Sequence, residues 1–113
     1  MIKGIGTDIA RISRFGNMEK GVEKKIFTPY EISEAERRAK REEYLSSRFA
    51  AKEAYVKALG TGFGALSPCD IEIREDGKGA PYISVNGIRE AGVMLSLSHD
   101  GDYSVAFVVI ENE

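Results

Sequence analysis

Hydrophobic and polar positions change period along the chain. Ile2 to Ile9 is a short apolar run rich in β-branched residues, which predicts a strand. Gly4 and Gly6 inside it predict close backbone approach by another element. A short helix is expected around Ile12–Met18. Thr28-Pro29-Tyr30-Glu31 is a helix start: Thr28 can cap, Pro29 suits the first turn, and Glu31 completes a capping box. No Gly or Pro follows until Gly60, and the 31 residues from Pro29 to Leu59 are long for one helix. A break is therefore expected near Lys40–Glu42. In the second helix, ending at the C′ residue Gly60, Leu45, Phe49, Val56 and Leu59 fall within about 80° and form the expected core stripe. Gly60 to Gly64 reads as a glycine loop.

Beyond that loop the period shortens to two. Asp70–Arg74 and Tyr82–Val85 flank a turn containing Asp76-Gly77. Ile88–Ala91 could form a short helix. Val93–His99 and Asp102–Ile110 alternate and are separated by Asp100-Gly101, the best two-residue hairpin signal in the chain. Helices segregate from hairpin-linked strands. The expected class is α+β, a mostly antiparallel sheet packed against a long helix, in a single domain spanning 1–113.

Composition narrows the possibilities. The chain has 113 residues, 42% hydrophobic and 30% charged, as in an ordinary globule. No apolar run is long enough for a membrane span, and the first twenty residues do not pattern as a secretory signal. A single cysteine, Cys69, and a single histidine, His99, exclude an internal disulfide and a structural zinc cluster. A cytoplasmic location is expected. The net charge of −2 hides a split. Residues 1–65 carry 13 Lys/Arg against 9 Asp/Glu, and residues 66–113 carry 3 against 9. The basic half suits an acidic partner or a phosphorylated ligand, whereas a pI near 5.5 with no dense basic stripe disfavours nucleic acid.

Few residues stand out as chemistry. Phosphate-loop, dinucleotide and nucleophile-elbow motifs are missing. Asp8 interrupts an apolar strand on the face opposite Ile5, Thr7 and Ile9; it either meets water or serves as a hard-metal ligand. Glu53 and Lys57, four apart, share a helix face as a surface ion pair or as site residues. Lys52 falls inside the apolar stripe, one turn after Arg48, where it either snorkels or reaches a ligand. His99 closes a strand before a tight turn. One carboxylate from a helix and one from a strand is a typical Mg²⁺ supply, with substrate phosphates filling the other positions. Nearby cations and a glycine loop suit those phosphates.

Together the pieces resemble a family. Gly4-Ile-Gly-Thr-Asp-Ile9, Phe27-Thr-Pro-Tyr-Glu31, Arg48-Phe-Ala-Ala-Lys-Glu-Ala54 with Lys57, Gly60-Thr-Gly62, Asp70-Ile-Glu72 and Leu95-Ser-Leu-Ser-His99 occur in order over nearly the whole chain. The pattern resembles the holo-acyl-carrier-protein synthases, small bacterial phosphopantetheinyl transferases. Lys78-Gly-Ala-Pro81 departs from the family's usual Gly-Lys-Pro at a hairpin tip. The resemblance implies the phosphopantetheinyl transferase fold. It implies transfer of 4′-phosphopantetheine from coenzyme A to a serine of an acidic acyl carrier protein, with release of adenosine 3′,5′-bisphosphate. By the same resemblance Asp8 and Glu53 are the Mg²⁺ ligands, and Lys57 is the cation on the scissile pyrophosphate. Glu53, through a water, is the expected base. Arg48, Lys52 and His99 contact the nucleotide phosphates, Gly60, Thr61 and Gly62 lie against the adenosine end, and Arg14 docks the carrier. The family further implies a homotrimer with sites at subunit interfaces.

Overall fold

The helix start at Thr28 closes as the spacing predicts. In the computed structural model, which describes residues 1–112, the Thr28 hydroxyl accepts from the Glu31 N–H, and a Glu31 carboxylate oxygen accepts from the Thr28 N–H. Helix α2 (Pro29–Glu36) and helix α3 (Arg41–Leu59) are separated by a four-residue break, and α3 stops at Gly60 with φ +79°. Helix α1 (Lys20–Ile26) precedes them and went unforeseen. The helix expected around Ile12–Met18 contracts to a single 3-10 turn, Ile12–Phe15.

The strands form two antiparallel three-stranded sheets rather than one. Strands β1 (Ile2–Arg11), β5 (Val93–Asp100) and β6 (Tyr103–Glu111) lie in the order β1-β6-β5. Strands β2 (Ile71–Glu75), β3 (Pro81–Val85) and β4 (Ile88–Arg89) follow in sequence in the second sheet. The segment read as a possible helix at Ile88–Ala91 is β4. Asn86 and Gly87 both take positive φ, 50° and 84°, which makes a hairpin turn and pairs Ile88 with Val85. The β5–β6 turn sits one residue later than the Asp-Gly signal, because Asp100 pairs with Tyr103. Asp102 is held there: its carboxylate accepts from the Ser13 N–H and hydroxyl, and its carbonyl from the Ile12 N–H.

Helix α3 is buried on more than one face. Leu45, Ala50, Ala51, Ala54 and Val56 join Ile71, Ile73, Ile83, Ala106 and Val108 in the core, with Phe15 and Phe27. Leu59, expected in the stripe, lies at the exposed C-terminal end. The face of β1 on α3 is Gly4, Gly6, Asp8 and Ala10, while Ile5, Thr7 and Ile9 point away. A Cβ built on Gly4 would overlap the Ala58 carbonyl oxygen, and one on Gly6 the Ala54 carbonyl oxygen. The close approach expected of these glycines is the contact between strand and helix backbones.

Gly6→Ala should therefore force the strand off the helix. A loss of about 1–3 kcal/mol in thermal or denaturant unfolding is expected for such overpacking. Unchanged stability would show that the contact is loose.

Candidate active site

Three side chains meet where β1 crosses α3. Lys57, on the last turn of α3, donates to the Asp8 carboxylate at 3.1 Å and to the Thr7 carbonyl at 3.0 Å. The Asp8 side chain is largely covered, and Lys57 is half exposed. Glu53 lies one turn before Lys57. Burial, and then the Asp8 carboxylate, raise the Glu53 carboxyl above the usual glutamate range, against the pull of Lys57 and Arg14. Two carboxylates facing each other from separate elements are a hard-cation donor set, and the charge repulsion at Glu53 is what a divalent ion would relieve. Among the described residues no cluster of three or more acidic, histidine or cysteine side chains forms. Asp8 and Glu53 are the side chains that would hold such an ion, which would bring a Lewis acid to substrate oxygens. Arg14 stands beside this crossing on the 3-10 turn, its guanidinium 5.0 Å over the Phe49 ring.

Lys52 does not belong to it. Successive helix residues differ by 100°, so Lys52 turns inward where Glu53 turns to the crossing. Its side chain is 0% exposed. The ammonium donates to Glu31 Oε1 at 2.6 Å, the Ile26 carbonyl at 2.7 Å and the Pro68 carbonyl at 3.0 Å. Glu31 Oε2 in turn accepts from the Ile73 N–H at 2.8 Å. Burial pulls the Lys52 ammonium below its ordinary range, and Glu31 opposes that pull. All three ammonium donors are spoken for inside the protein. The expectation that Lys52 contacts nucleotide phosphates is corrected: it ties α3 to the end of α1, the start of α2 and β2. Glu31, known from the sequence only as half of a capping box, is its partner.

A second basic region lies on the other side of α3. A cavity of about 380 Å³ is lined by Arg38, Lys40, Tyr44, Arg48 and His99, among others. His99 is exposed, its Nε2 3.4 Å from a Glu43 carboxylate oxygen. Arg48 is nearly covered and reaches Glu75 and the Ser47 hydroxyl. An adjoining cavity of about 320 Å³ adds Glu75, Gly79 and Pro81 to Arg38 and Arg48. The departure at Lys78–Pro81 leaves a regular tip, since the Asp76 carboxylate accepts from the Lys78 and Ala80 N–H groups. Gly60 and Gly62 both take positive φ just beyond Lys57, and the Thr61 hydroxyl donates to the Gly62 carbonyl. Arg48 and His99 are thus brought together, and so are Asp8, Glu53 and Lys57. The two groups are kept apart: nine residues from Arg48 to Lys57 are about 13 Å and half a revolution of helix. They flank opposite edges of the β1-β6-β5 sheet.

An α+β chain with a carboxylate pair on a strand–helix crossing and a basic cavity has known counterparts. The family model described as the 4′-phosphopantetheinyl transferase superfamily matches residues 4–108. The chain is 43% identical over 123 aligned residues to the holo-(acyl-carrier-protein) synthase of Halothermothrix orenii, covering 98% of each. It superimposes on the crystal structure of such a synthase from Bacillus anthracis in complex with CoA (3′,5′-ADP), with TM-score 0.86, 39% identity, and coverage of 100% of this chain and 99% of that one. For a Helicobacter pylori synthase in complex with coenzyme A the TM-score is 0.78 at 30% identity, over 95% of this chain and 99% of that one. The chain belongs to the 4′-phosphopantetheinyl transferase superfamily and, within it, to the holo-(acyl-carrier-protein) synthases. It is a phosphopantetheinyl transferase.

Proposed function

We propose that the protein moves 4′-phosphopantetheine from coenzyme A onto a serine of an apo acyl carrier protein, in a Mg²⁺-dependent reaction that releases adenosine 3′,5′-bisphosphate and serves fatty acid biosynthesis in the cytoplasm. The observation that carries this reading is the crossing at which Asp8, Glu53 and Lys57 meet. Phosphoryl-type transfer needs positioning and charge neutralisation more than covalent chemistry by the protein. A Mg²⁺ held by Asp8 and Glu53 would neutralise the pyrophosphate and favour loss of the nucleotide phosphate.

The serine oxygen attacks the phosphorus that carries pantetheine, and the bond to the nucleotide phosphate breaks. A Glu53 carboxylate oxygen takes the serine proton through a water. Lys57, half exposed and anchored on Asp8 and the Thr7 carbonyl, places its ammonium where charge builds on the leaving phosphate. Arg48 and His99 receive the nucleotide phosphates, and the Gly60–Gly62 loop lies against the adenosine end. Arg14, exposed beside the crossing, docks the carrier so that its serine arrives next to Glu53. The basic N-terminal half attracts an acidic carrier at long range.

The decisive assay is intact mass. The protein, coenzyme A, Mg²⁺ and an apo carrier should give a carrier heavier by one phosphopantetheine. EDTA should abolish the gain, and Glu53→Gln should slow it by about a hundredfold or more with the fold retained. Coenzyme A cleaved with the carrier unmodified would mean a hydrolase. Coenzyme A bound but intact would mean a binding module.

The separation of the two groups supports a homotrimer with each site shared between chains. One chain places Asp8 and Lys57 at the β1 edge and Arg48 and His99 at the β5 edge, so a ligand touching both groups spans two subunits. The outward face of this sheet is also apolar: Ile5 and Ile9 are 60% and 62% exposed, and Phe107 is 45% exposed. Such a contiguous patch marks an interface. Light scattering should read three chain masses, and a fully active monomer would refute the assembly.

A further inference from the structure

At the β5 edge two arginines share one carboxylate. Glu75 Oε1, at the end of β2, accepts from Arg38 Nη2 at 2.6 Å and from Arg48 Nη2 at 3.1 Å. Both guanidiniums lie over the Tyr44 ring, at 4.6 and 4.0 Å. Arg48 is only 7% exposed. Its Nη1 donates to the Ser47 hydroxyl at 2.9 Å, and its Nε is buried with no hydrogen-bond partner among the described residues. A buried guanidinium with an idle donor is under-satisfied, since an unpaired buried donor costs more than a bond gains. Both arginines line both cavities, and Glu75 lines the smaller one. Arginine grips phosphate through two parallel N–H donors, and Glu75 now holds the outer donor of each arginine.

We propose that Glu75 is an internal competitor for the phosphorylated nucleotide end of coenzyme A: its carboxylate holds the Arg38 and Arg48 donors until a ligand phosphate displaces it, and so sets how tightly that end is bound. This rests on the reading that coenzyme A enters these cavities. The mobility of the parts is unequal. The Glu75 side chain is about one-third exposed and can turn to water, whereas Arg48 is fixed by burial and by Tyr44. Arg38 keeps a second carboxylate, Glu34, at 3.3 Å after the exchange. A phosphate brings more oxygens and more charge than a carboxylate, so displacement is favourable, yet by less than binding to unpaired arginines. Because substrate and released bisphosphate share the nucleotide end, the competitor weakens both. It therefore favours product release at the expense of substrate affinity.

Glu75→Gln separates this role from a merely positioning one. Competition predicts two changes of opposite sense. Without ligand the variant should unfold at lower temperature, because Arg48 loses its counter-charge. By calorimetry it should bind adenosine 3′,5′-bisphosphate and coenzyme A roughly five- to tenfold more tightly, with adenosine, the uncharged probe, unchanged. Glu75→Asp, shorter by one methylene with the charge kept, should give a smaller gain and serves if the first variant does not fold. Equal or weaker bisphosphate binding would show that Glu75 only positions the arginines and would overturn the proposal. So would an equal gain for adenosine. A wild-type protein that binds neither coenzyme A nor the bisphosphate would remove the functional reading and this proposal together, whereas tight wild-type binding with no gain in either variant would remove this proposal alone.

Discussion

Two residues without side chains let a strand lie directly on a helix backbone, and the crossing depends on that contact. Gly4 and Gly6 sit over the carbonyls of Ala58 and Ala54, a turn apart on α3, where any Cβ would collide. Side chains alternate along a strand, so Asp8 continues the same inward face one step beyond Gly6. It therefore meets Lys57 and Glu53 rather than water. Wider spacing would separate the carboxylates and leave two ordinary surface acids. The apolar residues of β1 are left on the outer face, which then needs a cover of its own. One packing choice thus places the acidic pair and also exposes Ile5 and Ile9.

The orientation of α3 is secured from the other side by the Lys52–Glu31 pair. A buried ion pair adds little net stability over a well-packed apolar alternative, because desolvation offsets most of the attraction. What it adds here is direction. Lys52 finds oxygens on α1, on α2 and on the turn before β2, and Glu31 finds donors on α3, on β2 and at the cap of its own helix, so one rotation of α3 satisfies them all. With Lys52 locked inward, the next residue, Glu53, is turned about 100° toward β1.

Much of this was legible in the sequence. The capping box, the break between α2 and α3, the Gly60 stop and the main hairpins all rest on local chemistry, and all appear. The close approach at Gly4 and Gly6 was readable because glycine inside a strand has few other reasons. Asp8, Glu53 and Lys57 were singled out by pattern and by family resemblance together. What escaped depends on long-range pairing. Lys52 in an apolar stripe required a buried acid, and Glu31 was hidden behind its capping role. The short strand β4 was left open to a helix because two residues carry no period, although Asn86-Gly87 was a hairpin signal. Glu75 carries no local mark, since only the fold brings Arg38, Arg48 and Tyr44 around it.

The claim at the centre of this account is that strand and helix hold one divalent cation between Asp8 and Glu53. Anomalous diffraction from crystals grown with Mn²⁺ and coenzyme A tests it most directly. A single strong peak bonded at about 2.1 Å to a carboxylate oxygen of each residue is expected. A peak bonded to only one of them, or bound elsewhere with both carboxylates free, would contradict it.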